Sequence, residues 1–565
     1  MSHNAPPIMR QALGSLVGKV VFFSIGLWAW SAFPQYWVVG VGLMGMAVLS
    51  MISPVYHIGV ATKHRNQQRQ WAYEAHTKIL GKTARLAQAG DAVITRLRGR
   101  SGLFLGALGK ELLFYNPWQP SAGHLTCLAP ARSGKSSLLI GTLLNTGNLI
   151  GPLRFSAWVN DCKGELYFLA APRLTKMGKR VLALNPFEIR GIRQDHWNPL
   201  DVVTDSVIHH DGEARDWAHI IAQALIPEPE GQGGISDNSF FREGGRKILM
   251  TLILYMAVFT PLQCNLVRLR ELVNTTEDRL LAMANRMRDS EALNGLIRSD
   301  GEKLTDNLKA ANSKTFGSFR QEAEHAVDIY DPNSAFGRSV MRSDFQLADI
   351  LDQNTFLFDV TPASKLGTHG RHKALVSTLL IETVARQTTR SNFLMLFDEI
   401  GNMGKLPTTT LTKALALLPG LGLRLAMYWQ SMNQMSQVYG RDLMNLFLDQ
   451  SSILQAWGIR SPDMAKEFSR RSGTTTRKKH SFSKDPLERD YSMRKTWDEK
   501  EEPVLSETEI LHLPHDHQLI SISGQPMIRA RRISFWKIRD WRLAAGINPS
   551  EPGGYPKSDR VEWEY

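Results

Sequence analysis

The chain has 565 residues, a formal net charge of +13 and three cysteines. Cys127, Cys162 and Cys264 are scattered, odd in number and without metal-ligand spacing, which excludes a disulfide framework and reads as reduced core thiols. The positive excess is spread along the chain; it suits an anionic lipid face, nucleic acid or both, and by itself establishes neither.

No Asp, Glu, Lys or Arg occurs from Val20 to Thr62. Segments of about 13–33 and 37–56 are each long enough to cross a bilayer, the first if Lys19 snorkels. Pro34-Gln35 supplies a tight turn between them, with Trp28, Trp30, Tyr36 and Trp37 as an interfacial belt. Arg10 precedes the first span and Lys63, Arg65 and Arg69 follow the second, which predicts that both termini are cytoplasmic. A cleaved signal peptide is the rival reading, but the apolar stretch is too long, too internal and backed by a second span. A buried hairpin of a soluble domain is the weaker alternative. Residues 1–62 therefore read as a transmembrane hairpin and 63–100 as a juxtamembrane linker, a polar helix followed by basic residues.

Short apolar runs predict parallel strands at 124–129, 155–161, 180–185, 355–360, 392–398 and 423–429. The first ends in Ala129-Pro-Ala-Arg-Ser-Gly-Lys135 and passes into a helix-like stretch through Leu138, Leu139 and Ile140. That is the layout of a nucleotide phosphate cradle. Backbone N–H groups along Arg132, Ser133, Gly134, Lys135, Ser136 and Ser137 point at phosphates, Lys135 reaches the β/γ oxygens, and Ser136 can hold Mg²⁺. Ala129 stands where the general pattern has its first glycine.

Between about 200 and 345 the strand signal gives way to helical stretches at 214–225, 244–259 and 277–297, an all-helical insertion; 228–239 reads as a mobile loop. The strand at 392–397 ends in Asp398-Glu399. Alone, this pair reads as a solvated strand end. Beside a lysine loop, Asp398 can hold Mg²⁺ or its water and Glu399 can polarise an attacking water. The two motifs must then return to one sheet, as alternating strands and helices do. Gln430, after the last strand, either senses the γ-phosphate or caps a helix. The highly charged 474–505 reads as a solvated excursion, 518–523 and 527–535 as a hairpin, and 546–565 as a tail.

Taken together these residues resemble the type IV secretion coupling proteins of the TraG/TraD class, related to the FtsK and HerA hexameric translocases. The carrying segments are the loop to Lys135, Asn160-Asp-Cys-Lys-Gly-Glu165, Gly178-Lys-Arg-Val181 with Asn185-Pro-Phe187, and Trp197-Asn-Pro-Leu200. Asp398-Glu-Ile-Gly-Asn-Met-Gly404, Gln430-Ser431 with Gln434, and the hairpin from Gly524 to Trp536 complete them. Ser136-Ser137 replaces a frequent Lys-Gly pair and Cys162 a usual Pro; neither change removes a nucleotide-contacting group.

The resemblance implies an α/β, RecA-like P-loop ATPase at 101–200 and 346–545, using ATP and Mg²⁺, with an all-α insertion domain at 201–345 that engages substrates or adaptors. It implies Lys135, Asp398, Glu399 and Gln430 as the catalytic set, with Ser136 and Asp398 on the metal. Asp161, Lys163 and Glu165 would serve structure or a subunit contact. A homo-hexamer in the bacterial inner membrane is expected, with an arginine from the next subunit at each site; Arg424, Arg460, Arg470 and Arg471 are the candidates. It would bring relaxase-bound single-stranded DNA, or effector proteins, to the components of a type IV secretion channel, with conjugation favoured. The alternatives are effector export without DNA, an FtsK/HerA-like DNA translocase, and a docking receptor with a degenerate site. The intact Lys135, Ser136, Asp398 and Glu399 argue against the last.

Overall fold

The computed structural model describes residues 84–99, 101–145, 154–228, 239–309, 313–352, 354–483, 494–551 and 563, with short helical pieces between 20 and 50. The expected spans and the linker at 63–83 lie wholly or largely outside the described residues, as does the loop at 229–238. Among the described residues no helix is long and apolar enough to cross a membrane.

The chain divides into two compact units. One comprises residues 1–84 and 474–502, the other 85–473 and 503–565. The strands in chain order are β1 (Leu103–Leu108), β2 (Glu111–Tyr115), β3 (His124–Leu128), β4 (Ser156–Asp161), β5 (Arg180–Leu184), β6 (Thr355–Val360) and β7 (Phe393–Phe397). They continue as β8 (Leu423–Trp429), β9 (Ser451–Ala456), β10 (Thr474–Ser483), β11 (Arg494–Pro503), β12 (His517–Ile522) and β13 (Ile528–Arg531). β10 and β11 form a separate two-stranded sheet, so the segment expected to be a solvated excursion carries strands in its described parts. The others make one sheet ordered β2-β1-β13-β12-β9-β3-β8-β7-β4-β6-β5. From β9 to β5 all neighbours pair parallel; β12, β13, β1 and β2 extend the sheet antiparallel.

The parallel strands are apolar throughout because both faces are covered. On β4, Trp158 belongs to one core while Ala157 and Val159 belong to the other; on β7, Met395 and Leu396 divide in the same way. The first core contains the insertion helices and the helices Leu366–Ala385 and Met432–Gln450. The second contains Lys135–Asn145, Glu165–Lys176 and Arg539–Ala544. The result is a three-layer α/β/α arrangement. Residues of the expected linker join the second core: Val93, Ile94 and Leu97 of the helix Ala92–Leu97 are buried in it.

Between β5 and β6 the chain is helical, from Asp201–His209 to Leu347–Ile350. Ser239–Phe259 packs against Ser313–Val327 so closely that a Cβ on Gly244 would lie 2.1 Å from the Phe319 ring. The expected helix at 277–297 is interrupted after Glu277–Arg288, because Leu293, Asn294 and Gly295 all take positive φ before Leu296–Leu308 begins. Left-handed residues in succession cannot continue a right-handed helix.

Candidate nucleotide-binding site

β8 lies between β3 and β7, in parallel register with both. The loops leaving these strands therefore open at one edge of the sheet, where ligands of such folds bind. After β3 the chain turns through Ala129–Gly134 into the helix Lys135–Asn145. Gly134 has φ +84°, a conformation a glycine adopts without strain; the exposed Arg132 is also left-handed, at φ +58°. Ser133 Oγ donates to Pro130 O at 2.6 Å, tightening the turn. Lys135 Nζ folds back over it, donating to Ala129 O at 2.9 Å.

The two distant motifs meet. Lys135 Nζ lies 3.9 Å from Glu399 Oε1, although both come from separate parts of the chain. Glu399 follows β7 in a left-handed conformation, φ +58°, and its Oε2 accepts from Asn402 Nδ2 at 2.7 Å. Asp398 is buried, and burial with the nearby Asp161 and Glu399 pushes its carboxyl up to about 7 against the pull of Lys135 and Lys163. Crowded carboxylates beside a helix N-terminus fit a cation better than each other. Ser136, the next residue of the helix after Lys135, is half-buried, and among the described residues no cluster of three or more His, Cys, Asp or Glu forms a metal cage.

Gln430 follows β8, between the two motif-bearing strands; its N–H donates to Gln434 Oε1 at 3.0 Å, and Ser431 Oγ caps the next helix by accepting from Gln434 N at 3.1 Å. The Ser137 hydroxyl accepts from Phe535 N at 2.9 Å. Asp161 is a helix anchor: its carboxylate accepts from the N–H groups of Lys163, Gly164 and Tyr167 at 2.8–3.1 Å. Lys163 is exposed and Glu165 half-buried.

Several contacts had no sequence signal. Asn160 Nδ2 donates to Asp398 O at 3.0 Å while its Oδ1 accepts from the buried Lys373 Nζ at 2.6 Å. Trp457, after β9, donates from its indole to Ser133 O at 2.9 Å. Arg532 donates to the same carbonyl. Asn160 and Arg532 stand in quoted motifs, but only the strand order brings their side chains to the site. Of the four arginine candidates, Arg424 is buried and bonded to the carbonyls of Pro117, Pro419 and Leu423. Arg470 and Arg471 pair with Glu467. Arg460 is exposed with no ion pair among the described residues.

A lysine loop, an acidic strand end and an interposed polar strand end on a parallel sheet define a P-loop nucleotide-binding protein of RecA-like fold. Residues 74–551 match the model of the family described as Type IV secretory system Conjugative DNA transfer, and the chain belongs to that family. The conjugal transfer protein TraG of Agrobacterium fabrum is 23% identical over 400 residues, covering 69% of this chain and 58% of the relative. TraG of Rhizobium radiobacter is 22% identical over 404 residues, 70% of this chain and 60% of the relative. The chain thus matches less than two thirds of the length of these relatives. The plasmid coupling protein TrwB in complex with ADP and Mg²⁺ shares the fold, with a TM-score of 0.56 at 16% identity over 80% of this chain and 94% of that one.

Proposed function

We propose that this chain is an ATP-hydrolysing coupling protein of conjugation, which recruits a relaxase-bound DNA strand to a type IV secretion channel. The observation that carries the reading is the approach of Lys135 to Glu399 and Asp398 at one sheet edge, in a chain of the conjugative DNA transfer family. The solved relatives named as complexes with ADP and Mg²⁺ and with an ATP analogue support ATP and Mg²⁺ as the ligands. Bound Mg²⁺ would neutralise charge developing on the transferred phosphoryl group. Lys135 and the N–H groups of the cradle would bind phosphates, and Ser136 and Asp398 would hold the metal. Glu399 would leave Asn402 to orient water, and Gln430 would report the γ-phosphate.

The reading includes a homo-hexameric ring on a two-span stem in the bacterial inner membrane, both termini cytoplasmic. Hexameric packing places each site at a subunit boundary, and Arg460 is the candidate that is free to cross it. The helices between β5 and β6 would engage the relaxase, and the +13 charge would meet DNA phosphates. The family description favours DNA over effector export.

Lys135→Ala should abolish ATP binding and DNA transfer, whereas Glu399→Gln should bind ATP and lower turnover by about 10²–10⁴-fold. Normal mating efficiency in a strain carrying either variant would contradict an ATP-driven role. A gel shift with single-stranded DNA should weaken steeply as salt rises; shifts indifferent to salt, or none, would point to protein cargo.

A further inference from the structure

We propose that Arg532, immediately after β13, is a nucleotide-binding residue whose guanidinium meets the anionic phosphate chain of a nucleotide entering the cradle. This rests on the nucleotide reading above and adds to it a contact from the C-terminal hairpin. Arg532 donates to Ser133 O and to His515 O, and its guanidinium lies over the Trp457 ring at 5.3 Å from the centroid. A Cβ on Gly134 would come within 3.2 Å of its Nη1, so the cation abuts the middle of the phosphate loop. Three residues on, Phe535 N donates to Ser137 Oγ, so the C-terminal segment grips both sides of the cradle.

Bracing the loop does not account for this arginine. The Ser133 carbonyl already has a donor in the Trp457 indole at 2.9 Å. Arg532 is half-buried, its Nε–H is buried without an acceptor, and no carboxylate pairs with it among the described residues. Asp516, the acid whose charge acts on Arg532, is engaged by His517 at 2.9 Å and Arg531 at 3.3 Å. A partly desolvated cation that bonds only neutral carbonyls is costly. Burial accordingly pulls its pKa down. Lys135 has Glu399 as its counter-charge at 3.9 Å, whereas Arg532 forms no ion pair among the described residues and feels the Coulombic pull of Asp516; an entering polyphosphate would supply a direct partner, and guanidinium–phosphate pairing is favourable in energy and geometry.

The test uses the full-length protein as wild type, Arg532→Gln and Arg532→Lys. ATP affinity is measured by titration at low and high salt, and thermal unfolding is followed without nucleotide. Arg532→Gln should lose about 10- to 100-fold in ATP affinity. Its nucleotide-free Tm should stay within about 2 °C of wild type, because Trp457 still holds the loop. Arg532→Lys should recover part of the affinity and the salt dependence. ATP affinity in Arg532→Gln within twofold of wild type would overturn the proposal. So would an affinity loss matched by a Tm drop of several degrees in both variants, the signature of a brace. A wild-type protein that binds no ATP would defeat the nucleotide reading and this one together; equal binding by wild type and Arg532→Gln defeats this one alone.

Discussion

Lys373 is 1% exposed, its amino group buried among polar partners. Its Nζ donates to Asn160 Oδ1 at 2.6 Å and Asp359 O at 2.5 Å, and lies 3.4 Å from Asp359 Oδ1. Burial pushes the Asp359 carboxyl up and Lys373 draws it back. Lys373→Met would leave Asp359 buried without its counter-charge, a loss of about 3–5 kcal/mol. Urea unfolding should register it, and an unchanged midpoint would contradict the buried pair. The same cation reaches the Asp398 carbonyl through Asn160, which links the helix Leu366–Ala385 to the acidic strand end.

His124 is a second buried titratable group. Leu425 N–H donates to its Nδ1 at 3.0 Å, so Nε2 carries the proton and donates to Leu415 O at 3.1 Å. Burial lowers its pKa to about 4, with Arg424 acting in the same direction. Against an unfolded value of about 6.5, the unfolded chain binds the extra proton, so stability falls as pH drops from about 6.5 to about 4. His124→Gln keeps one donor and one acceptor but does not titrate. Its unfolding free energy should depend on pH less steeply, by up to about 1.4 kcal/mol per pH unit in that window. Equal slopes in the two proteins would refute the assignment.

At the scale of elements, the packing of Ser239–Phe259 on Ser313–Val327 depends on Gly244. Gly244→Ala would place a methyl 2.1 Å from Phe319 and cost about 1–3 kcal/mol. Its Tm should fall by several degrees; an unshifted Tm would mean the two helices separate freely. The parallel strands were legible because each is buried on both faces and reads as an unbroken apolar run, as in Phe393–Phe397. β9 carries no such signal, because Ser451, Ser452 and Gln455 interrupt its apolar character. Gln455 earns its buried place by donating to Leu105 O at 3.1 Å and Gln518 Oε1 at 2.5 Å, partners supplied by β1 and β12. The cradle and the acidic strand end were legible as local motifs. Trp457, Lys373 and Arg532 were not, since their roles arise from a strand order that no local pattern encodes.

At the scale of the molecule, residues distant in sequence are drawn to one edge of an 11-stranded sheet. Even the tail takes part: the buried Trp563 donates its N–H to Lys537 O at 3.0 Å, just beyond the segment that grips the cradle. Such convergence matters for function only if Lys135 and Asp398 serve a single triphosphate and its metal. Calorimetric titration of ATP into the full-length protein, with and without Mg²⁺, tests this most directly. Wild type should bind one ATP per chain, more tightly with Mg²⁺. Lys135→Ala should bind none, and Asp398→Asn should bind ATP with the same affinity whether Mg²⁺ is present or not. If Asp398→Asn keeps the full Mg²⁺ dependence, or Lys135→Ala binds as wild type does, the two motifs do not share a nucleotide.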